Sequence, residues 1–530
     1  MKIRMLGAAR TVTGSCFQIE VGDHVFAVDC GMHQGGSEAE ERNRAMDLYA
    51  PHRWEFILLT HAHIDHSGLL PRVKKFGFKG PVYMTPPTRE LVEIMLLDSA
   101  HIQEMESQWK NLRLKRRGVK AEVEPLYRLE DARGVFPLFQ TVEYDQTFNP
   151  VAGISVTYRD SGHILGSAFV EMEVKENGNP IKVIFSGDIG RPAQLIVRDP
   201  APLTEADFLF MESTYGDRDH KNEADSLDEL AQAVMYAFNN QEKVIIPAFA
   251  VERTQEIIYC LYLLSRENRL PAGMPIFVDS PLAIQATEVF RKFRSYYDEE
   301  MTALIRKGED PFRMPQLKFT LTTEESMAIN SFAGPAIVIS ASGMADAGRI
   351  KHHLKHNLWK EGASIVFVGY QAQGTTGRRI VDGAQTVKIF GDEVAIRAKV
   401  FTINGFSAHA GQRQLISWLK TLKDKPRRIF LVHGEYEAQR ILSELIEKEL
   451  AYAVSIPAYR EELTLRAGEE PLVIEAGTEK MPSRDWIEEI EKLERIVGEL
   501  QLEKPWQNSP SVKERLKGLK VKVDRLLGEG

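Results

Sequence analysis

The string Thr60-His-Ala-His-Ile-Asp-His-Ser67 constrains this chain more than any other feature. On an extended segment, His61 and His63 lie two residues apart and point to the same side, while Asp65 and His66 begin the next turn. One short loop can thus serve two metal ions. With 14 His among 530 residues, an HxHxDH pattern arises by chance in roughly one such chain in two thousand. Further ligands are expected where apolar strands end in Gly-containing turns, at Ser161-Gly-His163, Ser186-Gly-Asp188 and Leu431-Val-His433-Gly434. Each of these histidines alone would pass for a structural one; together with the loop they read as a ligand set. Neutral imidazoles and carboxylates without thiolates suit catalytic zinc, which keeps an open position for water, better than a closed structural site. Cys16, Cys30 and Cys260 are widely spaced and form no CxxC, so they read as buried reduced thiols.

A chain of this length exceeds one hydrophobic core, so at least two domains are expected. Residues 1–210 are rich in short β-branched runs broken by Gly, such as His24–Asp29 and Ile181–Phe185, around a mainly helical, partly basic stretch from Thr88 to Gly118. From Asp207 the rhythm changes to strand then helix, repeated through Phe208–Met211, Lys243–Pro247, Pro275–Val278, Ala336–Ile339 and Ser364–Val368. That alternation means a parallel sheet covered by helices. The β-rich style returns at Lys399–Ile403 and Arg428–Val432. Residues 211–400 therefore read as a domain inserted between 1–210 and 401–465, with 466–530 as a helical extension. In that extension Trp486, Ile490, Leu493, Val497 and Leu500 share one helical face, and Val512, Leu516, Leu519, Val523 and Leu526 share another. Those faces dock on their own chain or form a subunit interface, possible in a homodimer.

The net charge of −8 argues against coating nucleic acid through bulk positive charge, although bound divalent ions would add positive charge locally. The first residues run from Met1-Lys-Ile-Arg into Gly7 without the apolar stretch of a signal peptide, and no long uncharged apolar run follows. A cytoplasmic protein with no membrane partner is expected.

At this point the sequence resembles the metallo-β-lactamase superfamily and, within it, the β-CASP nucleases. Asp29, the His61 loop, His163 and Asp188 match four successive superfamily motifs; Glu212, His409 and His433 match three that the β-CASP group adds. Glu212-Ser-Thr-Tyr-Gly216, Pro247-Ala-Phe-Ala250 with Arg253, Asp279-Ser-Pro281, Ser340-Ala-Ser-Gly-Met344, Gly369-Tyr-Gln-Ala372 and Phe406-Ser-Ala-His409 look like the family too. The resemblance covers about residues 1–465. It implies an α/β fold, an αββα sandwich carrying an inserted parallel-sheet domain, and two zinc ions per chain. His61, His63 and His163 would hold the first ion and Asp65, His66 and His433 the second, with Asp188 bridging and Asp29 orienting the loop.

Such a site hydrolyses phosphodiesters with a hydroxide generated at the metal pair. A departing ribose oxygen still needs a proton, and His409 fits that role with Glu212 keeping it protonated. The carboxyl ends of the inserted strands put Phe249, Ser340, Ser342 and Gly343 at a cleft, where Arg253, Arg349 and Arg378 either hold phosphates of single-stranded RNA or form ordinary ion pairs. A zinc-dependent ribonuclease, endo- or 5′-3′ exonucleolytic, is the reading. The competing readings are hydrolysis of DNA or of a small-molecule ester on the same fold, and a non-catalytic scaffold subunit. A histidine at 433 and the insertion favour RNA, and the filled ligand set disfavours a scaffold.

Overall fold

The computed structural model describes residues 1–474 apart from 121, 177–178, 220–222, 370, 373 and 404. The two amphipathic faces between residues 486 and 526, and with them an assembly role for the extension, lie outside the described residues. So do His220 and Tyr370.

Two sheets face each other across an aromatic core. The first runs, in order, Leu472–Ile474, Glu462–Thr464, Lys2–Met5, Phe17–Val21, His24–Val28, Ile57–Leu58, Val82–Met84 and Phe139–Thr141. The second runs Val454–Ser455, Arg428–Val432, Phe208–Glu212, Asn179–Phe185, Ala168–Glu176, Ile154–Asp160 and Thr147–Val151. Alternation decides which side chains meet between them. Ile3 and Met5 are buried while Lys2 is exposed. Phe185, Phe210 and Phe430 stack across three neighbouring strands with ring centroids 4.7 Å apart at each step, and Phe17 of the facing sheet closes on Phe185 at 5.4 Å. Helices Gln412–Leu419 and Tyr436–Leu450 cover the second sheet through Leu415, Leu419, Leu442 and Ile446.

The third sheet, Leu317–Phe319, Ile276–Val278, Ala336–Ser340, Lys243–Pro247, Ser364–Phe367 and Lys399–Thr402, is parallel throughout. Its inner strands are buried at every residue, as expected of strands covered on both faces. Ser280 caps the helix Pro281–Lys292 by accepting from the Ala283 N–H, with proline at the first position.

Three elements differ from the sequence expectation. Phe208–Glu212 pairs in parallel with Val183–Phe185 and with Arg428–Val432, so it belongs to the sandwich and not to the inserted sheet. Lys399–Thr402 pairs with Ser364–Phe367 and closes the inserted sheet instead of reopening the sandwich. Leu472–Ile474, inside the segment read as helical, is a strand on Glu462–Thr464. Phe208–Glu212 is apolar in the manner of any buried strand, Lys399–Thr402 is a part-exposed edge strand, and the sheet each joins is chosen by partners far away in sequence.

Candidate active site

Three parallel neighbours of the second sheet end side by side: Asp188 lies just past the end of one, Glu212 is the last residue of the next, and His433 directly follows the third. The fourth contribution, Thr60–Ser67, follows the short strand Ile57–Leu58 of the facing sheet. It is held by backbone contacts: Ser15 N–H donates to the Asp65 carbonyl at 2.8 Å, and Cys30 N–H to the His66 carbonyl at 2.8 Å. Gly31 is required there, because a Cβ on it would lie 1.6 Å from the Asp65 carbonyl oxygen.

The ring nitrogens converge in two groups. His63 Nδ1 lies 3.2 Å from both His61 Nε2 and His163 Nε2, and Asp188 Oδ2 lies 3.5 Å from each of those Nε2 atoms. In the second group, His66 Nε2 and His433 Nε2 are 3.3 Å apart and Asp65 Oδ2 is 3.5 Å from the latter. Asp188 Oδ1 reaches this group at 3.3 Å from His66 Nε2, and it is buried with no hydrogen-bond partner. Within each group the candidate ligand atoms all fall within 4.8 Å of one another.

Facing imidazole nitrogens repel as lone pairs unless a proton or a cation lies between them. Ligands about 2.0–2.1 Å from a tetrahedral zinc ion sit about 3.3 Å apart, which is the spacing present here. Burial pushes His63 down to about 3 and holds His61 and His163 below the usual histidine range, so all three are neutral donors at physiological pH. The donor set fits the binding of metal, with Asp188 facing both groups.

Partners behind the rings set their orientation. Burial would lower His66, but Asp188 and Asp29 outweigh it and hold the ring well above the usual range. Its Nδ1–H donates to Asp29 Oδ2 at 2.7 Å, leaving Nε2 for the site. Asp29 also accepts from the Thr60 N–H at 2.8 Å and hydroxyl at 3.0 Å and from Ser15 at 3.3 Å. The Ala408 carbonyl, 3.4 Å from His163 Nδ1, does the same for His163. Thr214, which meets His433 Nδ1 at 3.2 Å, and Ser15 went unnoticed in the sequence. A hydroxyl in a turn carries no local signal of such a role.

His409 stands beside both groups. Its Nδ1 is 3.2 Å from Glu212 Oε1 and 4.0 Å from Asp188 Oδ2. Burial opposes a charge on this ring, but the Glu212 and Asp188 carboxylates outweigh it and push His409 up to about 9. Glu212 is fully buried and also accepts from the Ile189 N–H at 2.6 Å, which locks it against the Asp188 loop.

The expected substrate contacts divide. Phe249 is 46% exposed with its ring against Gly343, and Ser342 is half-buried. Ser340 is buried and donates to the Asp279 carbonyl at 2.8 Å. Arg253 is buried and bound to Glu256, and Arg349 is bound to Asp279 at 2.7 Å and to the Thr320 and Leu321 carbonyls. All three side chains are engaged within the protein, and for the two arginines this is the ion-pair alternative, since buried Glu256 and Asp279 each require a partner. Arg378 is half-buried and paired with Asp382 at 2.8 Å.

Comparison with known proteins gives three matches along the chain: the metallo-beta-lactamase superfamily domain over residues 18–188, the Beta-Casp domain over 254–380 and the Zn-dependent metallo-hydrolase RNA specificity domain over 393–457. The chain is 38% identical to Ribonuclease TTHA0252 of Thermus thermophilus over 446 residues, 84% of this chain and 96% of that protein. It is 30% identical to Transcription termination factor FttA of Thermococcus kodakarensis, over 86% of this chain and 70% of the relative. A crystal structure of a protein of unknown function from Enterococcus faecalis V583 matches 88% of this chain and 99% of its own at a TM-score of 0.51 and 12% identity, a likeness of fold alone. From the two ligand groups, the inserted parallel sheet and these matches, the chain belongs to the β-CASP family of the metallo-β-lactamase superfamily.

Proposed function

We propose that this protein is a zinc-dependent ribonuclease that hydrolyses RNA phosphodiester bonds at the site shared by the two ligand groups, in RNA processing or decay. The observation that carries the reading is the His409–Glu212 pair set against a fully buried Asp188 that faces both groups. A zinc pair, when bound, polarises a phosphoryl oxygen and lowers the pKa of an attacking water. His61, His63 and His163 would hold one ion, Asp65, His66 and His433 the other, and Asp188 both. Asp29 fixes the His66 tautomer. Glu212 keeps His409 charged, so that below about pH 9 its ring carries the proton that a departing ribose oxygen needs. A β-lactam or ester with a good leaving group has no use for such an acid. That proton, the ribonuclease name of a relative spanning most of the chain and the RNA specificity match all support RNA as substrate. Phe249, exposed beside Gly343, is suited to stack a base.

The test offers metal-loaded protein an RNA oligonucleotide, DNA of the same sequence and a chromogenic β-lactam. RNA should be cut and the lactam left untouched, with DNA at least about tenfold slower for want of a productive fit. Faster cutting of DNA, turnover of the lactam alone, or no turnover of any substrate would each replace this reading with one of its competitors.

A further inference from the structure

The helix Arg253–Arg266 of the inserted domain is entered through a sharp bend at Glu252, whose φ of +67° and ψ of −62° are those of a strained three-residue turn. The Arg253 N–H closes that turn on the Val251 carbonyl at 2.9 Å. A residue with a Cβ is held in such a conformation only where its surroundings demand it. The bend drives the Glu252 carboxyl inward, to 2% exposure. There Oε2 accepts from the Leu165 N–H at 3.3 Å, two residues past His163. Gln194, 3% exposed in the segment after Asp188, donates its Nε2–H to the His163 carbonyl at 3.0 Å. Two side chains from different parts of the chain thus grip one short stretch of backbone.

Each also carries an unsatisfied acceptor. Glu252 Oε1 and Gln194 Oε1 are both buried without a hydrogen-bond partner, and the two side chains lie within hydrogen-bonding reach of each other. A buried acceptor without a partner is costly, and a proton on Glu252 turns one of its oxygens into a donor. The surroundings favour that proton. Burial and the charge of Glu256 outweigh Arg253, the Leu165 N–H and Gln194 and push the Glu252 carboxyl up to about 8. Arg191 lies 3.0 Å from the far oxygen of Glu256, and Tyr297 is a further titratable neighbour.

We propose that Glu252 and Gln194 are positioning residues for His163, through which the inserted domain sets how tightly the first ligand group holds its metal. This rests on the reading of His163 as a zinc-holding residue. Buttresses behind a ligand are typically worth about 10–100-fold in metal affinity.

The test measures zinc affinity of the metal-free full chain against a chromophoric chelator, with its melting temperature as a control on folding. Glu252→Ala and Gln194→Ala should each weaken one of two zinc ions by about 10–100-fold. Glu252→Gln keeps the shape and supplies a neutral donor, so it should bind within about threefold of wild type, well short of the loss from a missing buttress. Wild-type affinity should also fall as pH passes about 8 and Glu252 loses its proton, against the usual rise as ligands deprotonate, and the Gln variant should lack that fall. Wild-type affinity in both alanine variants, or a Gln variant as weak as the alanines, overturns the proposal. Should Glu252→Ala fail to fold, Gln194→Ala and Glu252→Gln still decide it. A wild-type chain that binds no zinc contradicts the site reading itself, a separate outcome.

Discussion

Replacing Asp188 by alanine or asparagine is expected to strip metal from both positions and to reduce turnover of every phosphodiester to the level of the metal-free protein. The expectation follows from geometry. Oδ2 lies 3.5 Å from His61 Nε2 and from His163 Nε2, while Oδ1 lies 3.3 Å from His66 Nε2, so one carboxylate is common to both groups. Burial would raise this acid, but His433, His66 and His409 around it outweigh that and hold it well below the usual carboxylate range. Asparagine keeps the shape and loses both the charge and the second oxygen. His433→Ala is the graded control, because it removes one member of the second group alone. Elemental analysis after gentle purification should then find close to no metal in the Asp188 variants and an intermediate content in the His433 variant. An Asp188→Asn protein that retains wild-type metal would remove the carboxylate from its assigned place.

His409→Ala should fail in another way. Its ring belongs to neither ligand group, so metal content should stay at the wild-type level. Cleavage of RNA should fall by about 10²–10⁴-fold, the usual contribution of a general acid. A nitrophenyl phosphodiester loses nitrophenolate, which departs without a proton, and should be largely spared. The pH profile carries the same sign. The raised value near 9 means that the active, protonated ring is present at neutral pH and is lost as pH climbs through that value, so RNA cleavage should decline on the alkaline side. Equal losses on both substrates with metal intact would leave His409 as a positioning residue.

How far the sequence discloses this site depends on how local the relevant contact is. The Thr60–Ser67 loop is legible because four potential ligands fall within six residues, and the strand-ending turns at His163, Asp188 and His433 are legible beside it. Sheet membership of Phe208–Glu212 is not, since Phe-Leu-Phe-Met suits a central strand of either domain and only the pairing with Arg428–Val432 decides. The partners of the arginines are hidden for a related reason. Arg253 and Arg349 look free in one dimension, yet each answers a buried carboxylate, Glu256 three residues away and Asp279 seventy away in the chain. Glu252 is the extreme case, because its meaning depends on a backbone amide 87 residues earlier.

The central claim is that two zinc ions held by these seven side chains cut RNA. Its most direct test titrates metal-free protein with zinc while following cleavage of RNA labelled at either end. No cleavage is expected without metal, then a rise that reaches its plateau at two zinc ions per chain, and products with a 5′ phosphate, as attack by water with a departing 3′ oxygen requires. Full activity at trace zinc, or a plateau unrelated to metal content, would contradict it.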